Sequence, residues 1–451
     1  MRYLVVGSGI RGICDCLAIL REYPASDICL IDASKSFGGG VSGLAVEDFA
    51  VDPGVHLFDS ISRDFASFLE NIAAGGLQEI TVKSASTFNG EKTDGFSLPD
   101  LSSLDTDVTT KIRKEILAEN SNPGESDDSL EGLFRERFGP TASGIYSDIY
   151  RHIYSVTSSE VSKDAVHSTS LHRIKFDSDE TMLELKNQSS RLDDALAARR
   201  AQRDTSSDTS VTVYPADGRG MTGLNHDIYR WLLAAGTDIR LSTTVQSVQR
   251  QTVGGSKVVL SDGHTVTVDR IVWSANNFDT LLKFCRLDGG SLSEHMHHAP
   301  MVLAVLVGEE QCFSDYTYMQ NFDIDRVTYR SASAGMYSKQ NNAGRTFVTC
   351  ECPADIGSDH WIDHTLLKDR LYADLLATGF MQSTKDVTPY FFNAPKTFFA
   401  PKIQFGSCFE QLAQRAWEEF GIFVKDPRVF FRREMIADSH RLAETGFERC
   451  S

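Results

Sequence analysis

Three spaced glycines and one acid carry the first chemistry in this chain: Gly7-Ser8-Gly9-Ile10-Arg11-Gly12, and Asp32 at the end of the next apolar run. Gly7 permits a tight turn, Gly9 lets the backbone approach a pyrophosphate, and Gly12 lets a helix pack closely on a strand. The free amides at the helix start then receive the phosphates, while Asp32 accepts hydrogen bonds from an adenosine ribose. The alternative for the glycines alone is a strand-to-helix turn without a ligand. Further along, Gly38, Gly39 and Gly40 let a loop pass close to a bound cofactor. Arg330 offers a guanidinium fork to phosphate or carboxylate. Its alternative is a structural ion pair with a residue such as Glu351.

The elements that must hold these groups are legible nearby. Residues 2–6 form an apolar run suited to a buried parallel strand, residues 13–20 read as a helix, and residues 28–31 as a second strand ending at Asp32. Strand, turn, helix, strand and acid together point to a dinucleotide, with NAD and FAD both open. Helical spacing is also found at Phe65, Phe68, Leu69 and Ile72, over 101–117 and 130–138, and in the aromatic stretch 145–154. A loop is expected at 119–128, a helix over 191–203 and a linker at 204–210. After it come a strand at 211–215, a helix through Trp231, strands at 239–241 and 245–248, and a hairpin turning at Asp262-Gly263. Residues 300–404 read as strand-rich, and the tail as a helix over 412–420 followed by a strand to 431.

Length and charge bound the function. The 451 residues suggest two or three structural units. A net charge of -17, with no basic stripe, argues against an electrostatic nucleic-acid binder, so an anionic substrate would be held by local arginines. There is no run of about eighteen apolar residues, so no membrane span is expected. The first strand starts at Arg2, which leaves no place for a signal peptide, and a cytoplasmic location is expected. The nine cysteines lack Cys-x-x-Cys spacing and read as reduced packing residues. No metal site is expected, and the cluster at 294–298 reads as a solvated turn.

With the glycine turn, Asp32, the triple glycine and the segment Val51-Asp52-Pro53-Gly54-Val55-His56-Leu57-Phe58, the chain resembles the FAD superfamily of amine oxidases, protoporphyrinogen oxidases, phytoene desaturases and UDP-galactopyranose mutases. The resemblance implies an α/β fold of the glutathione-reductase-like flavoprotein class: a discontinuous Rossmann-like FAD-binding domain and a mixed α+β substrate domain. The implied division is 1–90, 211–285 and 415–451 for FAD, and 91–210 and 286–414 for substrate. FAD is the implied cofactor, held by Gly7, Gly9, Gly12, Asp32, Gly38, Gly39, Gly40, Val245, Arg428, Met435 and Ser439. His56 is implied as a flavin neighbour and Arg330 as a substrate residue; the alternative for His56 is a partly buried histidine capping a turn. Phe398-Phe399-Ala400-Pro401 stands where the mutases carry a tyrosine, and phenylalanine has no hydroxyl to donate.

The implied activity is an FAD-dependent oxidoreductase acting by hydride transfer to flavin N5. Its substrate would be a small polar or glycan-related molecule, anionic or a nucleotide sugar, and a homo-oligomer is compatible with the sequence. Two other readings stand beside it: a non-redox mutase using reduced FAD, and a non-catalytic binding protein that retains the fold.

Overall fold

Alternation along the first strands sets up two cores. In Arg2–Val6, Tyr3 and Val5 enter one apolar cluster and Leu4 and Val6 another, because successive side chains point to opposite faces. Asp27–Ile31 repeats the split, Ile28 and Leu30 against Cys29 and Ile31. Strands buried on both faces suit a parallel sheet covered on both sides. The computed structural model describes residues 1–118, 127–199, 210–251, 254–287, 292–340 and 342–447. It contains such a sheet, five-stranded and parallel throughout, in the order Asp238–Arg240, Asp27–Ile31, Arg2–Val6, Arg270–Trp273, Ile422–Val424. Helices Ile10–Glu22, Gly220–Ala234 and Arg432–Glu444 supply the core on one face. The antiparallel strands Val245–Arg250, Ser256–Leu260 and Thr265–Val268, with helix Phe405–Phe420, supply it on the other.

A seven-stranded mixed sheet forms the second layer, in the order Thr388–Ala394, Met301–Glu309, Arg345–Pro353, Arg330–Ala332, Tyr318–Asn321, Ser84–Phe88, Glu91–Asp94. Its Ser84–Phe88 strand comes from the 1–90 segment and pairs in parallel with Tyr318–Asn321. A three-stranded sheet of Phe58–Ser62, Ser210–Pro215 and Leu77–Glu79 lies between the two in sequence.

Several expectations are corrected in detail. The helical stretches read at 130–138 and 145–154 stand as two helices joined end to end across a kink within Leu130–Tyr154, the second beginning earlier than expected, at Pro140. Gly139 ends the first at φ 81°, and Pro140, which lacks an N–H, starts the second. The 191–203 helix is only Ser190–Ala195 among the described residues. The 119–128 loop and the 204–210 linker lie largely outside them. Of residues 294–298 only 294 and 295 form the expected turn: Met296–His298 is a strand that pairs with Phe399–Pro401, and His297 Nε2 lies 2.7 Å from the Tyr154 carbonyl. The strand-rich segment also holds helix His364–Ala377. The final strand stops at Val424, because Asp426 accepts from the Arg428 N–H in a turn and Pro427 has none to give. Among the described residues no helix is long and apolar enough to cross a membrane.

The first helix carries an acid that its burial should forbid. Asp15 is fully buried, and its carboxylate accepts from Ser274 Oγ and Ser439 Oγ, both at 2.6 Å. Lys425, also buried, lies 3.0 Å from Asp15 and 2.6 Å from Asp438. Burial alone would lower the lysine pKa, but the two carboxylates raise it. This network ties the first helix to the end of the last strand and to the C-terminal helix. Lys425→Met should therefore lose ~3–5 kcal/mol in urea unfolding, since it strands a buried carboxylate. An unchanged midpoint would mean that the network carries no structural weight.

Candidate functional site

The three glycines of the turn differ in what surrounds them. Gly7 has φ +109°, and a Cβ there would lie 2.9 Å from the Ala275 nitrogen. A Cβ on Gly12 would lie 1.8 Å from the Gly7 carbonyl oxygen. Both positions are closed by protein. Gly9 has nothing within 4 Å of its would-be Cβ, and neither has Gly40. The Gly38–Gly40 loop crosses the turn, with the Gly38 N–H donating to the Ser8 carbonyl at 3.0 Å and a Cβ on Gly39 meeting Gly9 Cα at 3.0 Å. Asn225 holds that loop through a 3.0 Å bond to the Val41 carbonyl. The result is a cradle of backbone at the N-terminus of the first helix, open only where a ligand would approach.

Asp32 closes the cradle's rim. Its carboxylate accepts from the Ser8 N–H at 2.5 Å, Ser8 Oγ at 2.9 Å and the Ser34 N–H at 2.7 Å. Arg11, whose side chain is withdrawn from the turn, bonds Asn276 and donates to the Pro427 and Val429 carbonyls at 2.6 and 2.9 Å. It thereby pins the start of the C-terminal helix against the glycine turn.

A second group of polar side chains gathers around His56. The imidazole Nδ1 is buried without a hydrogen-bond partner, and burial, reinforced by Arg432 and Arg330, holds its pKa well below the usual histidine value. The ring is neutral at pH 7. Arg330 donates to Glu351 at 2.6 Å and stacks over Phe398, its guanidinium carbon 5.4 Å from the ring centroid. Burial opposes its charge, but Glu351 raises its pKa above the ordinary value. Glu351 Oε2, Arg330 Nε and the Tyr337 hydroxyl are buried without partners. Burial keeps Tyr337 protonated and able to donate. Arg432 donates to the Leu57 carbonyl at 2.5 Å and lies over the Phe58 ring.

The sequence-derived residues thus separate into groups. Gly7, Gly9, Gly12, Asp32, Gly38, Gly39 and Gly40 come together at the cradle. His56 and Arg330 meet in the polar cluster, where Arg330 also makes the anticipated ion pair with Glu351. Val245 is buried at the bulged start of its strand, and Met435 is buried in the C-terminal helix. Ser439 is engaged by Asp15, and Arg428 by Asp426 and Asp164, both at 2.7 Å, with Glu410 at 3.6 Å. Tyr337, Asp52 and Arg432 were not among the candidates. Asp52 sits inside the segment that led to His56, and Arg432 in the tail beside Arg428, but nothing in a sequence marks which arginine stays unpaired.

The site fits a dinucleotide on these observations: open Cα faces at Gly9 and Gly40, free amides at the helix start, and unpartnered buried donors beyond it. Among the described residues no His, Cys, Asp and Glu side chains cluster as metal ligands.

Asp52 adds a titration of its own. It accepts from the Tyr214 hydroxyl and from the Met221 N–H at 3.1 Å, yet burial outweighs both bonds and raises its pKa from 3.8 to about 6. The folded chain binds this proton more tightly than the unfolded chain. The stabilisation is therefore complete below about pH 4 and lost as pH rises through about 6, a difference of roughly 3 kcal/mol. Asp52→Asn should flatten the fall in unfolding free energy across that window. A variant whose pH profile parallels that of the wild type would show that Asp52 titrates normally.

No protein-family model and no curated protein sequence matches the chain. Solved structures do match in fold. A structure described as a protoporphyrinogen oxidase from Exiguobacterium sp. 255-15 aligns over 99% of this chain and 98% of its own, with TM-score 0.65 and 15% identity. Reduced UDP-galactopyranose mutase aligns over 99% and 93%, with TM-score 0.71 and 15% identity. Wild-type putrescine oxidase bound to putrescine aligns over all of both chains, with TM-score 0.59 and 13% identity. At such identities the likeness is one of fold, and the chain has the α/β fold of these oxidase and mutase structures, as its glycine turn and triple glycine led one to expect.

Proposed function

We propose that this chain is an FAD-dependent oxidoreductase acting on a small polar or glycan-related substrate. The observation that carries this reading is the contrast within the glycine turn: Gly7 and Gly12 are filled by protein, whereas Gly9 and the neighbouring Gly40 are open. Gly7, Gly9, Gly12 and Gly38–Gly40 would receive the pyrophosphate, Asp32 the ribose, Val245 the adenine through its backbone, and Met435 would line the site from the C-terminal helix. Arg428 and Ser439 would act behind this layer, by holding the C-terminal segment through their carboxylate partners. When bound, the flavin supplies an electron sink for hydride taken from a C–H next to nitrogen or oxygen.

The side chains around that position have defined roles. His56 is neutral, so it presents a ring nitrogen for hydrogen bonding and no charge. Tyr337 presents a protonated hydroxyl. Glu351 fixes Arg330, and Phe398 and Tyr329 wall the guanidinium on its faces. A pocket of this kind favours substrates with hydrogen-bond acceptors. A non-redox mutase remains the second reading, supported by Arg330 in a fold shared with a UDP-galactopyranose mutase. Phe398, which lacks a hydroxyl, counts against it.

The purified protein should be yellow and release FAD on heating. Gly9→Val should abolish flavin uptake while leaving the melting temperature near that of the wild type, and His56→Ala should shift the flavin absorbance or potential. Turnover that bleaches oxidised flavin supports the oxidoreductase. Activity seen only after dithionite reduction would replace it with the mutase. A colourless protein that takes up no added FAD would leave a non-catalytic binding protein.

A further inference from the structure

The chain brings three arginines toward this region, and their surroundings differ. Arg330 is neutralised by Glu351 at 2.6 Å. Arg428 lies among Asp426, Asp164 and Glu410. Arg432 has no carboxylate within 4.0 Å among the described residues. The carboxylate that acts on it most strongly, Asp52, is held by Tyr214 and the Met221 N–H. A largely buried guanidinium without a counterion is costly unless something anionic completes it.

The surroundings of Arg432 suit an anion. It is the first residue of the helix Arg432–Glu444, whose N-cap, Phe431, offers no side-chain acceptor; its carbonyl takes the N–H of the first-turn acid Glu434 at 3.0 Å, which leaves the N–H groups of Arg432 and Arg433. Those amides and the helix dipole favour negative charge at the same spot. The buried, unpartnered Tyr337 hydroxyl and His56 Nδ1 lie within the electrostatic reach of this guanidinium. Its position is not accidental, because Arg11 clamps the carbonyls of Pro427 and Val429 just ahead of it.

We infer that Arg432, and not Arg330, is the anion-binding residue of this site, taking a phosphate or carboxylate oxygen with the Tyr337 hydroxyl as a second donor. This rests on the reading that a dinucleotide occupies the adjoining cradle. Two sources share the chemistry: the cofactor's own phosphates and an anionic group on the substrate.

The test is calorimetric titration of wild type, Arg432→Gln, Arg432→Lys and the double variant Arg330→Met/Glu351→Leu, which removes the neutral pair as a unit. Flavin-free protein is titrated with inorganic pyrophosphate. Flavin-loaded protein is titrated with inorganic phosphate, read also as a change in flavin absorbance. Arg432→Gln should lose about tenfold or more in one titration, the lysine variant should retain most of the affinity, and the double variant should bind as wild type does. Loss with pyrophosphate assigns the anion to the cofactor; loss with phosphate on loaded protein assigns it to the substrate. Wild-type affinity of Arg432→Gln in both titrations overturns the proposal, as does loss in the double variant alone. Should the wild type bind no FAD, the oxidoreductase reading fails, and the pyrophosphate titration still decides Arg432: binding lost in Arg432→Gln supports it, and no binding by the wild type overturns it. Should Arg432→Gln fail to fold, phenylglyoxal labelling of wild-type Arg432, mapped by mass spectrometry, takes its place. Protection by pyrophosphate or phosphate supports the proposal, and equal labelling with and without them overturns it.

Discussion

Asp15 brings a carboxylate to the middle of a helix that is buried along most of its length, and much of the tertiary arrangement can be read as the answer to that charge. Water does not reach it, so its partners have to come from the chain. Lys425 comes from just beyond the last parallel strand, Ser439 and Asp438 from the C-terminal helix, and Ser274 from just past the strand Arg270–Trp273. A buried pair of this kind contributes little net stability against an apolar replacement, whereas removing one member is expensive. Its consequence is therefore geometric. The two ends of a long chain meet at one helix, and any alternative docking of the tail would leave a buried charge alone.

That docking is what creates the site. One residue ahead of Gly12, Arg11 grips the backbone at Pro427 and Val429, so the glycine turn and the start of the C-terminal helix are held by adjacent positions of a single helix. The cradle side is rigid for steric reasons, since Gly12 packs with no room for a methyl group. The opposite side is set by electrostatics. Between them, the 51–58 segment delivers Asp52 and His56, and the large sheet delivers Arg330 and Glu351.

How much of this was legible in the sequence follows from the range of the forces involved. The glycine turn was legible because its requirements are local: a positive φ at Gly7 and contact between residues five apart at Gly12 dictate the residue type directly. Asp32 and the triple glycine follow within one supersecondary unit. The two cores were legible as apolar alternation, and so was the helix over 130–138, but the first residues of the helix that follows, from Pro140, were hidden, because Gly139-Pro140 reads as the start of a loop. The strand at 296–298 was hidden for another reason: its partner, 399–401, is about a hundred residues away, and histidines on a half-buried edge look like those of a turn.

The arginines mark where sequence reasoning reaches its limit. Arg428 and Arg432 stand four positions apart in the same tail, and both are candidates by type. Only the fold separates them, by bringing Asp164 and Glu410 to one and no acid within ion-pair distance to the other among the described residues. Pairing is a tertiary property, and it changes what an arginine does: a neutralised guanidinium positions its neighbours, while an unneutralised one presents charge. The low pKa of His56 follows from the same arrangement, because burial and two nearby guanidinium groups act together against its protonation. The neutral imidazole follows from burial beside two guanidinium groups, whereas Tyr337 stays protonated because burial and Asp52 outweigh those same guanidinium groups. An arginine without an acid in ion-pair range, inside a chain of net charge -17, concentrates positive potential where solvent screening is weakest.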